Sequence, residues 1–463
     1  MEFLACVGAL AFLIFVAYRG HSVILFAPVA CLGAVLLTAP SAVLPVYTSY
    51  FMTKMVVFVQ LYFPVFLLGA IFGKVIEMSG FAKSIVMAVV KMLGPSRAMV
   101  SIVTVCALLT YGGVSLFVVV FAVYPFAAEM FREADIPKRL IPGTIALGAF
   151  TFTMDSLPGT PQIQNIIPTT FFKTTSWAAP ILGLLGALFI ISVGLTYLEW
   201  RRRAALAKGE GYGTGHILEP DPIPEESLVN PVIAISPLVI VGVANLILTF
   251  LIPHLYSPTV EVVLAPGGTP ITASIPSILG IWAVIGALLI GILTVFVFAW
   301  RPLIAKFAEG SKSAIGGALL ATMNTASEYG FGAVIAVLPG FVLIAHALAA
   351  IPNPLVNEAL SVTTLAGITG SASGGMGIAL AALSNQFIAA ANAHGIPMEV
   401  LHRVAAMASG GMDTLPHNGA VITLLSVTGL THRQSYADIF AVTVTKTSAV
   451  FVVIAIYYLT GWV

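Results

Sequence analysis

The sequence predicts an all-α polytopic membrane protein made of two inverted-topology repeats, each with about five transmembrane helices, one of them interrupted, plus one re-entrant helical hairpin. Three observations carry that expectation. Of the 463 residues, 59% are apolar and only 8% are Asp, Glu, Lys or Arg, against about 25% charge in soluble domains. The 42 Gly and 28 Pro fall among the apolar runs, the mark of membrane helices interrupted along their length. Finally, Met154-Asp155-Ser156-Leu157-Pro158-Gly159 returns as Met412-Asp413-Thr414-Leu415-Pro416-His417 at a separation of 258 residues. A formal net charge of +1 gives no reason to expect a nucleic-acid or polyacidic partner. Cys6, Cys31 and Cys106 sit in apolar stretches without disulfide or metal-ligand spacing, so packing is their expected role.

Each element follows from the pattern in turn. A spanning helix takes about 20 largely apolar residues. Repeat 1, residues 1–198, supplies such runs at Glu2–Tyr18, Val23–Thr38, Met55–Gly73, Leu140 to about Ile167 (residues 140–167, interrupted) and Ala178–Leu198. The first lacks a basic leader and a convincing cleavage site, so a retained span is expected rather than a signal peptide. Repeat 2, residues 231–463, supplies Val232–Ile252, Ile278–Trp300, Ala314–Ala345, about Val400 to Leu430 (residues 400–430, interrupted) and Phe440–Trp462. Two further segments are too rich in glycine at their centres for plain spans: residues 98–130 around Gly112-Gly113, and residues 361–392 around Gly370 to Gly375. Irregular backbone at membrane depth survives only where protein or a water-filled cavity surrounds it, so both are expected as re-entrant hairpins. Phe81–Leu93, apolar on one face with Lys83 and Lys91, predicts a cytoplasmic interfacial helix. Its counterpart, about Ala347–Leu360, is expected on the outer face. Thr259–Leu264, followed by Pro266-Gly267-Gly268, predicts a small surface β-hairpin.

Charge sets the orientation. With Arg201, Arg202, Arg203 and Lys208 in the cytoplasm, 16 of the 20 Lys and Arg fall on that side, as the positive-inside rule asks. Lys54, Lys173 and Arg403 fall at the outer side, and Lys446 at the start of the last span. The cytoplasmic linker, residues 199–230, is charged and rich in Gly and Pro, and needs no role beyond joining the halves. Two more landmarks repeat in order: Ile136-Pro137 and Ile396-Pro397 lie 260 residues apart, and Gly112-Gly113 and Gly374-Gly375 lie 262 apart. Five spans and a hairpin precede the linker and the same set follows, so the copies run in opposite directions. Inverted repeats with breaks at matched positions mark secondary transporters that bind substrate near the bilayer midplane. No enzyme is expected, since the chain carries no nucleophile elbow, zinc-protease pair or phosphate-binding glycine loop.

The breaks carry the chemistry. Thr160, followed by Pro161, is expected to cap the half-helix after the first break, and Asn418 the one after the second. Gly112-Gly113 at one hairpin tip and Ser373-Gly374-Gly375 at the other can also begin helices, with Ser115, Ser371 and Ser373 supplying hydroxyls. Such starts present free N–H groups and a positive dipole end, the expected seat of a carboxylate. Gln162, Gln164, Asn165, Ser371 and His417 are candidates to read a hydroxyl. Asp155, Asp413 and His417 are ionisable groups at membrane depth, where a charged aspartate costs about 2.5–3.5 kcal/mol on insertion scales. Each either carries a coupled proton or ties the broken backbone. Glu328 is expected as an interhelical contact, with Glu77 in a loosely corresponding place.

The run Gly370-Ser371-Ala372-Ser373-Gly374-Gly375-Met376-Gly377-Ile378-Ala379-Leu380 resembles the second hairpin of the gluconate permease (GntP) family, within the ion-transporter superfamily. The likeness extends over most of the chain in length, span order and inverted hairpins. It implies proton-coupled uptake of a small organic acid through a bacterial inner membrane. It also implies a transport domain of hairpins and broken helices that slides past a scaffold in an elevator motion, and a homodimer, as in many elevator-type relatives. Gluconate-type members carry a Pro-Pro-His-Pro-Gly-Pro-like run in the first break, where this chain has Leu157-Pro158-Gly159-Thr160-Pro161. They also tend to carry an acid after the aromatic pair of the first hairpin, where this chain has Ser115-Leu116-Phe117-Val118-Val119. The stretch Met412 to Asp438, with Asp413-Thr414-Leu415-Pro416-His417-Asn418-Gly419, is more similar to the D-beta-hydroxybutyrate permease branch. The Ser-Asn-Thr tips of sodium-coupled dicarboxylate relatives are absent. The resulting expectation is a proton symporter for a short hydroxy-monocarboxylate such as (R)-3-hydroxybutyrate, without cofactor, bound metal or nucleic-acid partner. A gluconate or other sugar-acid symporter, a passive anion channel and a non-transporting membrane scaffold stay open as alternatives.

Overall fold

The apolar runs fold as helices in a computed structural model that describes residues 2–19, 21–94, 97–216, 218–220, 229–341, 351–416 and 418–463. The first half holds α1 (Glu2–Tyr18), α2 (Val23–Thr38), α3 (Met52–Met78), α4 (Phe81–Leu93), α5 (Ala98–Tyr111), α6 (Leu116–Glu133), α7 (Ile141–Ala149), the single turn α8 (Phe152–Asp155), α9 (Ile163–Phe172) and α10 (Pro180–Leu206). The second holds α11 (Pro231–Leu255), strands β1 (Thr259–Val262) and β2 (Ile271–Ser274), α12 (Ile275–Val337), α13 (Pro354–Thr369), α14 (Ala372–Ala393), α15 (Met398–Gly410), α16 (Gly419–Thr428) and α17 (His432–Thr460). β1 and β2 pair antiparallel, with Thr259 opposite Ser274. Among the described residues six helical stretches are long and apolar enough to cross a bilayer: Pro40–Met78, α10, α11, α12, α14 and α17. Leu44, Val297 and Leu459 stand exposed on such helices, where lipid tails solvate them as well as a protein core would.

Several boundaries differ from the sequence reading: α3 outruns Met55–Gly73 at both ends, and α10 continues to Leu206, inside the expected linker. The expected spans Ile278–Trp300 and Ala314–Ala345 join in one helix, α12, bent at Ala299 (φ −131°, ψ 34°) just ahead of Pro302. The proline ring clashes with the carbonyl four residues back, which places the kink there. No separate outer-face helix forms over Pro354–Leu360. These residues are the first turns of α13, capped by Asn353, whose Oδ1 accepts the Val356 N–H at 3.0 Å; residues 342–350 lie outside the described set. The last helix starts at His432 rather than Phe440 because Thr431 and Gln434 form a capping box. Lys446 therefore sits mid-helix.

The broken helices make the centre of the molecule. Every residue of α7 is buried, as are residues 400–410 of α15. α9 packs on α14 and α15, and α7 on α5 and α17. α5 and α6 join through Gly113 (φ +98°), and α13 and α14 through Gly370 (φ +65°), left-handed positions that glycine takes without steric cost.

The linker does more than join the halves. Glu210 meets Arg139 at 2.6 Å, and Glu219 meets Lys138 at 2.7 Å and also Arg132. Tyr212 donates its hydroxyl to Glu219 at 3.0 Å and its N–H to Asp135 at 2.9 Å. The linker acids answer the cations of residues 132–139, one of which, Lys138, is fully buried. The hydrogen bond from Arg139 holds the Glu210 carboxyl below its usual range. For Glu219 burial pushes upward, yet the bonds from Lys138 and Arg132 win and the value is lowered. Depressed carboxylates stabilise the folded state above their ordinary pKa of about 4.3 and lose that contribution as pH falls through the lowered value. The thermal midpoint in detergent is therefore expected to stay level between about pH 7 and 5 and to fall below about pH 4. Glu210→Gln with Glu219→Gln should flatten that acid limb; an unchanged limb would exclude the linker as its source.

Candidate functional site

At the first break several freed carbonyls are met by side-chain donors. Tyr111 donates its hydroxyl to the Pro158 carbonyl at 2.9 Å, and Asn245 Nδ2 donates to the Gly159 carbonyl at 3.0 Å. Asn165 Nδ2 donates to the carbonyls of Thr160 (3.0 Å) and Ser176 (2.8 Å). Gln162 Nε2 reaches back to the first hairpin, to the Thr110 carbonyl at 2.7 Å. Buried backbone in an apolar medium demands such partners. α9 starts at Ile163 with Gln162 at its N-cap, two residues later than the expected cap at Thr160. The Asn165 bond to Thr160 and the packing of Gly113 against Pro161 hold those two residues outside the helix. The Thr160 hydroxyl is buried with no partner among the described residues.

Asn165 is saturated. Its Oδ1 accepts from Arg403 Nη1 at 3.0 Å and lies 3.2 Å from His402 Nε2, while both of its N–H groups are spent. Arg403, expected near the outer face, is fully buried and donates to the carbonyls of Asp155 (2.5 Å) and Ala178 (2.7 Å). The first is left over by the break after α8 and the second lies in the loop before α10, and an arginine fork suits several carbonyls at once. Asp155 is also spoken for: its Oδ2 lies 2.8 Å from Lys446 Nζ, with both side chains buried, and its Oδ1 accepts the Ser156 hydroxyl at 2.7 Å.

The second break and the second hairpin tip meet at Asp413. Its Oδ1 accepts the N–H of Ala372, the first residue of α14, at 3.0 Å, and its Oδ2 accepts Gln164 Nε2 from the first break at 2.8 Å. Asn418 Nδ2 approaches the same carboxylate at 3.4 Å. Asn418 caps α16 as expected, Oδ1 accepting the Ala420 N–H at 2.7 Å, and its Nδ2 ties the Gly370 carbonyl at 2.8 Å. Ser371 caps α14, its Oγ accepting the Gly374 N–H at 3.1 Å. The same hydroxyl bonds to Glu328, whose other oxygen lies over Gly374 without a partner among the described residues. Gly375 packs on the backbone of Ala366, and Ser373 Oγ stands 3.5 Å from Thr325 Oγ1. Gln164 Oε1 is buried and unpartnered among the described residues, an open acceptor beside the Asp413 carboxylate.

Asp413, Gln164, Asn418, Ser371 and Gly374 thus form one cluster. Gly113 and Gln162 belong to a second, around the first hairpin, where Gly112 packs on Leu238 and Ser115 leads into α6 with no side-chain cap bond. Asn165 belongs to a third with Arg403. His417 lies outside the described residues. The roles of Lys446 and Arg403 escaped sequence reading, although a lysine deep in an apolar run is itself a signal. Glu358, fully buried in α13 with neither oxygen partnered among the described residues, also escaped it. Among the described residues no three His, Cys, Asp or Glu gather as a metal site.

No family model matches the chain. Over all of its length and all of the relative's, it is 57% identical to a Bacillus subtilis (strain 168) protein named "Uncharacterized transporter YxjC". Among solved structures it is similar to the Alcanivorax borkumensis YdaH transporter, with a TM-score of 0.50 and 14% identity over 92% of this chain and 90% of that one. The second likeness speaks for the fold alone.

Proposed function

The chain belongs to the membrane transporter family of YxjC, a multi-pass protein and not an enzyme, and from that premise we propose that it is a proton-coupled symporter of a small hydroxy-monocarboxylate, with (R)-3-hydroxybutyrate as the leading substrate. The observation that carries this reading is the Asp413 carboxylate seated on the Ala372 N–H at the start of α14. A helix start of this kind suits a substrate carboxylate, and here the protein's own acid holds it. Two like charges cannot share one helix end in a low-dielectric site. A proton on Asp413 removes the charge and frees the N–H, so the anion binds to the protonated form. Loss of that proton on the other side returns Asp413 to the helix start and expels the anion.

Gln164 Oε1, open beside Asp413, is the group suited to a substrate hydroxyl, ahead of Asn165 and Gln162, whose polar groups bind the protein itself. Ser371, Ser373 and Asn418 complete the polar surround. Moving one anion with one proton is electroneutral and avoids about 2.3 kcal/mol per charge per 100 mV of opposing potential. The matched breaks at Asp155 and Asp413, with the resemblance to the gluconate permease family, support alternating access in which the hairpins and broken helices move together against a dimeric scaffold. In proteoliposomes an inward proton gradient is expected to accumulate labelled (R)-3-hydroxybutyrate, and a protonophore to collapse it. Accumulation of gluconate in its place would make the substrate a sugar acid. Conductance without uphill uptake would make the protein a channel.

A further inference from the structure

Lys446 lies about halfway along the 29-residue α17 and is buried, the depth at which a charge is most costly in a membrane protein. Its ammonium donates to the Phe150 carbonyl at 2.8 Å and the Gly410 carbonyl at 2.6 Å, and forms an ion pair with Asp155 Oδ2 at 2.8 Å. Phe150 caps the C-terminal end of α7, and Gly410 is the last residue of α15. The two carbonyls thus come from the ends of the two half-helices that precede the matched Met-Asp motifs. Such ends carry unpaired carbonyls and the negative pole of the helix dipole. A Cβ on Gly410 would run into both Asp155 Oδ2 and Lys446 Nζ, so this close approach depends on glycine. One carboxylate with the C-terminal carbonyls of two broken helices is the oxygen set that holds a coupling sodium ion in transporters with interrupted helices.

We propose that Lys446 is a tethered counter-cation, filling by covalent attachment the position between α7 and α15 where an exchangeable alkali cation would otherwise bind, so that no sodium ion is used there. The Asp155 carboxylate already faces the Lys446 ammonium, and the Arg403 guanidinium stands on the Asp155 carbonyl, so a further cation would be repelled. This deepens the transport reading, on which it rests for its consequence: coupling is left to a proton elsewhere in the site.

The test is thermal unfolding of the purified full-length protein in detergent, at constant ionic strength, in NaCl against choline chloride. The wild-type midpoint is expected to be the same in both salts. Lys446→Ala should be destabilised in choline and recover by about 5 °C as sodium saturates the vacated position. Asp155→Asn with Lys446→Ala should show no sodium response. A sodium-dependent shift of the wild-type protein as large as the variant's overturns the proposal, as does a Lys446→Ala protein with the wild-type midpoint in choline. Should Lys446→Ala not fold in either salt, the wild type and the double variant decide: an unresponsive wild type and a folded double variant sustain the proposal, and any other result overturns it. None of these readouts needs substrate, so a failure of proton-driven uptake would leave them standing and the two readings fail separately.

Discussion

Asp413→Asn is expected to abolish uphill uptake driven by a pH gradient while leaving substrate exchange across an equilibrated membrane measurable. The variant's amide takes up no proton and carries no charge, so it cannot contest the α14 start when the proton leaves. Without substrate its Oδ1 can still accept the Ala372 N–H now held at 3.0 Å, so the local fold is kept, and a neutral amide yields that N–H to the anion. One proton moved with one anion supports at most about tenfold accumulation per pH unit, the equivalent of 1.36 kcal/mol. The variant should equilibrate at about onefold. Labelled uptake and counterflow in the same proteoliposome preparation check both halves of the expectation; tenfold accumulation by the variant would remove Asp413 from coupling.

Asp155→Asn should behave differently, although the two aspartates occupy matched positions in the repeat. Asp155 is the ion-pair partner of Lys446 at 2.8 Å with both groups buried. Removing one member of a buried pair leaves the other uncompensated and costs about 3–5 kcal/mol. A fall of about 5–10 °C in the thermal midpoint is expected, with reduced yield of folded protein. Adding Lys446→Met should recover most of it, because replacing both members of a buried pair with neutral groups is often tolerated. If Asp155→Asn kept the wild-type midpoint and lost only proton-driven accumulation, the assignment would reverse: Asp155 would carry the proton and Lys446 would not depend on it.

The paired motifs at Asp155 and Asp413 share Met, Asp, Leu and Pro at matched positions, so sequence reading treats the two aspartates alike. What separates them is what stands opposite. Asp155 faces a lysine 291 residues away in the chain, and Asp413 faces a helix start and a glutamine 249 residues away. The same limit applied to the amides. Gln162, Gln164 and Asn165 are close in sequence and alike in chemistry, yet Asn165 is saturated by Arg403, Thr160 and Ser176 while Gln164 keeps an open oxygen. The N-cap at Asn418 is legible because capping is local, a side chain and an N–H two residues on. The cap at Thr160 was misplaced by two residues because long-range bonds hold Thr160-Pro161 out of the helix.

By itself the sequence determined that the chain is a helical membrane protein, where its helices break, and that the breaks come in a matched pair. All three are written in short-range quantities: apolar run length, the position of proline and glycine, and a repeated motif. Only the tertiary structure decided which broken end each polar group serves. It put Asp413 on the start of α14, set Lys446 between the ends of α7 and α15, and buried Arg403 against the first break. The physical reason is that an apolar medium leaves no water to satisfy an opened helix. Each freed carbonyl and N–H must find a partner in another helix, and which helix lies within 3 Å is a property of packing alone.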